Sequence, residues 1–266
     1  MCELLAVSTS RPSRLTFSLS ALSARSASPG NMRDGWGVAY CQGADVALFR
    51  EPVAASDSEL VRYLEREGPA TTLAISHIRH ATQGMVTLAN TQPFVRELGG
   101  VSHCFAHNGN LVGIASDPRF ELSGRYQPVG QTDSEHALCV LMSQLASIWD
   151  GKQRPSLELR RSIVAGFAAS ISTLGPANFL YSDAQVLFAY GHRRIQAATG
   201  RVSAPGLWFL ERHCSIPPHP GDEQLGLRVH DGDQSVVFVA SVPLSDEAWK
   251  PLQEGELIVV SEGAVL

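Results

Sequence analysis

The chain has 266 residues, 44% hydrophobic and 18% charged, with a formal net charge of −5. Such a composition fits a soluble globular protein with a substantial core. It holds no Lys/Arg block to track nucleic acid, no apolar run near the roughly 18–20 residues of a membrane helix, and no basic-then-apolar leader.

Taken in chain order, "STSRPSRLTFSLSALSARSASPGN" places Leu15, Leu19 and Leu22 at helical spacing and predicts a helix ending before Pro29-Gly30. "WGVAYCQGADVALFRE" reads as a hairpin around "QGAD", and "DSELVRYLEREG" as a short amphipathic helix with a glycine stop. "TTLAISHIRHAT" and "VSHCFAHNGNL" are expected to be buried strands. "TDSEHALCVLMSQLASIW" has a capping box, Thr132-x-x-Glu135, ahead of a helical row at Leu138, Leu141, Met142 and Leu145. "RRSIVAGFAASISTLG" is a second long helix, closed by Gly175. "NFLYSDAQVLFAYG" predicts a hairpin turning at Ser182-Asp183, and strands "QSVVFVAS" and "GELIVVSEGAVL" close the chain. Strands thus come in pairs at both ends with two long helices between them. That order suggests mixed or antiparallel sheets covered by helices, an α+β layering. "SIPPHPGDEQ" (215–224) is the best breaker cluster, but too little chain follows it for a second domain, so one domain over 1–266 is expected.

Several polar side chains interrupt the apolar runs. Cys2 follows the initiator methionine directly, and removal of Met1 would put a thiol and a free α-amine on one residue. Both groups change protonation near neutral pH, and an N-terminal amine can activate such a nucleophile. Arg79, at the end of a buried strand, wants an anion, either a structural carboxylate or a ligand. Asn108-Gly109 is the strongest short hairpin signal; equally, a glycine N–H and the Asn amide would form an oxyanion hole. Asp133 at a helix start serves as an N-cap or as a carboxylate aimed at an ammonium.

Other chemistries fit less well. His77 and His80 point to opposite faces of a strand. His103 and His107 share a face roughly 13 Å apart at ~3.3 Å per residue, too far for one zinc, and no metal is expected. No G-x-S-x-G elbow, G-x-G-x-x-G or Walker A loop occurs, and no cofactor is expected. Five widely spread cysteines without a CxxC pair suit a reducing cytoplasm.

Cys2, "SHIRHATQG", "FAHNGNL" and "GQTDSEHAL", in this order and spacing, resemble the class II glutamine amidotransferases, members of the N-terminal nucleophile hydrolases. "NMRDGWGVAYC" and "LSDEAWKPLQEGELIVVSEG" extend the resemblance to the stand-alone, YafJ-type subgroup; it is weakest between about Arg154 and His230. The resemblance implies a four-layer αββα sandwich. It implies Cys2 as nucleophile with its own amine as base, and Asn108 and Gly109 as the oxyanion hole. It implies Arg79 on the glutamine α-carboxylate with Thr82 and Gly84 in the adjoining loop, and Asp133 on the α-ammonium. Two places depart from the family pattern: Gln92 stands where His is common in "N-x-H-P", and His80 and Gln83 stand where synthase-linked members often have Trp and His.

The expected activity is cleavage of a γ-glutamyl amide, glutamine by default, through a Cys2 thioester that water resolves. The alternatives are hydrolysis of a larger γ-glutamyl conjugate in thiol metabolism, and a catalytically idle glutamine-binding subunit, which retention of Met1 would favour. Expected partners are the small-molecule substrate and a synthase or a second copy of the chain, with neither nucleic acid nor membrane.

Overall fold

Period-two alternation of apolar side chains recurs along most of the chain and yields long strands with two distinct faces. The computed structural model describes residues 2–17, 34–81, 84–149, 153–214, 227–229 and 233–266. Its first half contains β1 (Glu3–Phe17), β2 (Trp36–Gln42), β3 (Asp45–Glu51), α1 (Glu59–Glu67), β4 (Ala70–Ile78), β5 (Phe94–Leu98), β6 (Val101–Gly109) and α2 (Asp133–Ala146). There follow α3 (Leu157–Ser172), β7 (Ala177–Ser182), β8 (Leu187–Gly191), β9 (Arg194–Ile195), β10 (Val202–Ser203) and β11 (Trp208–Cys214). The chain closes with β12 (Leu227–Val229), β13 (Gln234–Ala240), β14 (Lys250–Pro251), β15 (Glu256–Ser261) and β16 (Ala264–Val265).

One large sheet runs β14-β11-β13-β1-β4-β2-β3 with β12 also on β1; a second runs β16-β15-β8-β7-β6-β5, and β9 and β10 pair separately. Every ladder among the described residues is antiparallel. Three apolar seams separate four layers. Leu4, Ala6, Ile75, Cys104, Ala106 and Leu180 fill the space between the sheets. Leu5, Val7 and Ala74, on the opposite face of the first sheet, pack with Val61 and Leu64 of α1 and with Trp249. Phe105, Phe179 and Phe188 of the second sheet meet Leu138, Leu141, Phe167 and Ile171 of α2 and α3. The fold is the expected αββα sandwich, with both long helices on one side.

Alternation also places the chemistry. Leu4 and Ala6, Leu73 and Ile75, and Cys104 and Ala106 face the inter-sheet seam. Continuing each row brings Cys2, Arg79 and Asn108 to one end of that seam.

The sequence reading needs correction at its start. Leu15 belongs to β1, where it pairs with Val229, rather than to a helix. Ladder formation on two sides overrides a three-leucine spacing, and Pro12, which has no N–H, lies in the register shift between Ser8 and Ser13. The remainder of that expected helix, and the cluster at 215–224, lie outside the described residues. The hairpin around "QGAD", α1 with its Gly68 stop and both long helices are as expected. The capping box is half made: Thr132 Oγ1 accepts from Glu135 N, while Glu135 accepts from Gly130 N and pairs with Arg96. No helix of the described residues is long and apolar enough to cross a membrane.

Candidate active site

Cys2 stands just before β1, and its sulfur meets the backbone at the end of β4. His80 N donates to Sγ at 3.3 Å, and Sγ lies 3.4 Å from His80 O. The His80 ring points elsewhere, 3.8 Å from Asp34 Oδ2. Burial pushes the Cys2 thiol above its ordinary value, against the lowering effects of the His80 N–H and the Arg79 charge. Burial thus favours the protonated sulfur.

Arg79 is buried at the same strand end. Its Nη1 donates to Met85 O at 3.1 Å and Asp34 O at 3.5 Å, and its backbone N donates to Gly35 O at 2.8 Å. The contacts to Asp34 and Gly35 and the bond from Ala81 N to Asp34 Oδ2 (2.7 Å) show what the Asp-Gly-Trp-Gly segment does: it braces the loop that carries Arg79. Gly84 lies beside the guanidinium, with φ +75° and an ideal Cβ position 3.7 Å from Nη2. Thr82 is outside the described residues.

Asn108 and Gly109 end β6 opposite Asn178 and Ala177 of β7. They are thus strand residues rather than the corner of a tight hairpin, which removes the turn reading. Asn108 Nδ2 donates to Cys2 O at 2.5 Å and joins the two sheets at the site. A Cβ on Gly109 would collide with Pro176 O and lie 2.8 Å from His107 Nε2, so only glycine lets these strands approach.

The carboxylate wall comes from the α2 N-terminus. Thr132 is the N-cap, which leaves the Asp133 side chain free of that duty. Asp133 Oδ2 accepts from Leu111 N and Oδ1 from Ser134 N, at 2.7 and 2.8 Å. A carboxylate has about four lone-pair sites, so acceptor capacity is left for a ligand. Cys2, Arg79, Gly109 and Asp133 all line one pocket, together with Asn90, Gln92 and His107. Among the described residues, no group of three or more His, Cys, Asp or Glu is placed to hold a metal ion.

Those last three residues were not singled out as site residues. Gln92 Oε1 accepts from His107 N (2.7 Å) and its Nε2 donates to His107 O (3.1 Å), so the departure from the family's His is a clamp on β6. Asn90 receives Gln131 N and donates to Met85 O, which ties two rim loops together. His107 Nδ1 is 2.9 Å from Ser134 Oγ. The sequence signal for Asn90 and His107 is their position beside the motifs, and for Gln92 it is the departure from the N-x-H-P pattern.

His77 faces the inter-sheet seam, fully buried, with neither ring nitrogen bonded among the described residues. Burial, with the Arg79 charge and His107 adding to it, pushes its pKa down to about 3. The unfolded state binds that proton from about pH 6.5 downward and the folded state does not. Stability is therefore expected to be full above about pH 6.5 and to fall as the pH drops toward 3. Urea titrations of a His77→Asn variant should show a flatter loss over that window; an unchanged slope would clear His77.

Two facing antiparallel sheets with helices on their outer faces form the fold of the N-terminal nucleophile hydrolases, and a thiol here occupies the start of the first strand. The family model for class-II glutamine amidotransferases matches residues 1–266, and the chain belongs to that family. It is 30% identical over 257 residues to YafJ of Escherichia coli (strain K12), covering 96% of each chain. A Haemophilus influenzae relative is 33% identical over 268 residues, 99% of this chain and 85% of the relative. Among solved structures, one described as a predicted glutamine amidotransferase from Pseudomonas aeruginosa PA01 superposes with a TM-score of 0.69 at 29% identity, over 100% and 99% of the two chains. Glutamine phosphoribosylpyrophosphate amidotransferase from B. subtilis shares the fold at 16% identity and a TM-score of 0.60, with 48% of its length covered.

Proposed function

We propose that the chain, as one domain over 1–266 and after loss of Met1, is a cytoplasmic, cofactor-free hydrolase of γ-glutamyl amides, with glutamine as its default substrate. The observation that carries this reading is the company of the sulfur. Among the described residues the hydrogen-bond contacts of Cys2 Sγ are to His80 backbone atoms, and burial favours its protonated form. A freed Cys2 α-amine is the base already attached to it. The amine takes the thiol proton as sulfur attacks the γ-carbonyl, and the developing oxyanion is met by an Asn108 amide hydrogen and the Gly109 N–H. Collapse expels ammonia, which takes back the proton. Water then adds to the thioester and releases glutamate and the thiol.

Arg79 and Asp133, which line the same pocket as that thiol, complement the α-carboxylate and α-ammonium of a free amino acid head. The planar guanidinium fork explains Arg rather than Lys. Hydrogen bonds to charged groups are worth ~1.5–3 kcal/mol, so Arg79→Lys or Asp133→Asn is expected to lower kcat/KM roughly 10–150-fold. Glutamine and γ-glutamyl peptides should suffer alike, and asparagine should be a poor substrate of the wild type. Loss for one substrate only would remove the head-group assignment.

A second reading, a larger γ-glutamyl conjugate, is supported by exposed apolar side chains on segments tied to the pocket. Met85, Val112 and Val129 are largely exposed. Each sits on a segment tied to a pocket residue, through Arg79, through Leu111 to Asp133, and through Gln131 to Asn90. The deciding experiment is intact mass of natively produced protein followed by kcat/KM for glutamine and several γ-glutamyl peptides. Protein beginning at Cys2 that turns over none of them would be an idle glutamine-binding subunit, docking on a synthase or on a second copy.

A further inference from the structure

Three consecutive residues after β8, His192, Arg193 and Arg194, reach both sheets where Cys2 and Asn108 meet. The tie to the second sheet runs through Asn178, which faces Asn108 across the β6–β7 ladder. Asn178 Nδ2 donates to Asn108 O at 3.0 Å and to Arg193 O at 2.7 Å, and Oδ1 accepts from His192 N at 2.7 Å. Three of the amide's four bonding sites are thereby used, which fixes its plane. Room for it is kept by Gly206, where a Cβ would collide with Asn178 Oδ1.

The tie to the first sheet runs through Arg194. Its Nη2 donates to Glu3 Oε1 at 2.8 Å, and its Nη1 donates to Ser241 O. Ser241 is itself locked to β1, since its Oγ accepts from Leu4 N and its N donates to Leu4 O, both at 3.0 Å. Arg194 and Glu3 are buried, and Glu3 is the residue next to the nucleophile. Both ties thus end on a residue that is, or directly neighbours, one of the two groups whose spacing matters.

We propose that His192–Arg194 is a clasp that sets the separation of Cys2 from Asn108, with Arg194 and Asn178 as positioning residues that touch neither the thiol nor the substrate. The inference rests on the hydrolase reading for its chemistry. Thiol and oxyanion donors come from different sheets, and the sheets meet mainly through apolar side chains, which resist sliding weakly. Directional bonds at the sheet ends supply what that seam lacks: the direct bond from Asn108 Nδ2 to Cys2 O, and the clasp that holds the two strands bearing it. A misplacement of about 1 Å at a reacting centre can cost about 10²-fold in rate. Arg79 and Asp133 lie outside the clasp, so binding of the amino acid head is independent of it.

The test compares wild type, Arg194→Met and the double variant Glu3→Gln/Arg194→Met. The double variant removes the carboxylate charge that the single change would strand, and so guards against simple unfolding. Thermal stability, KM for glutamine, and kcat per Cys2 titrated by an electrophilic glutamine analogue are measured. The clasp predicts kcat per titrated site down roughly 10–100-fold with KM within about threefold, and recovery of stability but not of kcat in the double variant. Wild-type kcat per titrated site in either variant would overturn it, as would a kcat that returns with stability. If wild type beginning at Cys2 hydrolyses nothing, the hydrolase reading fails by itself. The labelling rate of Cys2 then still tests the clasp, which requires slower labelling in the double variant and is overturned by an equal rate.

Discussion

Cys2→Ala is expected to abolish turnover of every γ-glutamyl amide while changing stability by no more than about 1 kcal/mol, the range of an ordinary small substitution. The thiol sits just before β1 against the His80 backbone and is not among the side chains of the three apolar seams. The same assignment predicts which cysteine an electrophilic glutamine analogue will find. Cys41, Cys104 and Cys139 are buried, and burial raises the pKa of all three, Cys41 to about 11. Cys214 is partly exposed like Cys2, which makes it the informative control. A plain alkylating reagent should reach Cys214, whereas the glutamine-shaped one should modify Cys2 first and be slowed by added glutamine. Peptide mapping that places the analogue on Cys214, or residual turnover in Cys2→Ala, would remove Cys2 from the mechanism.

Asn108→Asp is expected to lower kcat by about 10²–10³, the usual effect of losing one oxyanion donor. The structure strengthens the case for a large effect. The Asn108 amide donates to Cys2 O, so an ionised Asp would face one acceptor at rest and a second negative charge during attack. The comparison that isolates the chemistry is kcat per titrated Cys2, because a general loosening of the sheets would lower the number of competent sites instead. Near-normal kcat per site would leave Asn108 as a tether between the sheets and nothing more.

Much of this was legible one residue at a time. Gly68 stopping α1, Thr132 capping α2, and the turn between Gln42 and Asp45 are local decisions, made by backbone conformations and side-chain-to-backbone bonds within a few residues. The residue types that carry chemistry were legible for a related reason. Cys2, Arg79 and Asn108 are polar side chains at the ends of apolar rows, and burial of such groups needs a purpose. The same local logic misled at Leu15, where leucine spacing alone suggested a helix. The ladders that made β1 a strand come from Ala70–Ile78 and Leu227–Val229, far along the chain.

What the sequence determined by itself, then, is the alternation of several strands, the cap or stop of several helices, and the kinds of side chain at the strand ends. Tertiary structure alone decided which strands are neighbours and which ends coincide. It turned Asn108-Gly109 from a turn signal into strand residues set against Pro176. It brought Arg194 across 191 positions to Glu3, and made Gln92 a clamp on His107. The physical reason is the range of the forces. Propensities and caps act over one turn or one pleat and leave a mark in the local pattern. A buried ion pair or amide clamp is favourable only once two distant strands have excluded water around it, and no local spacing records that event.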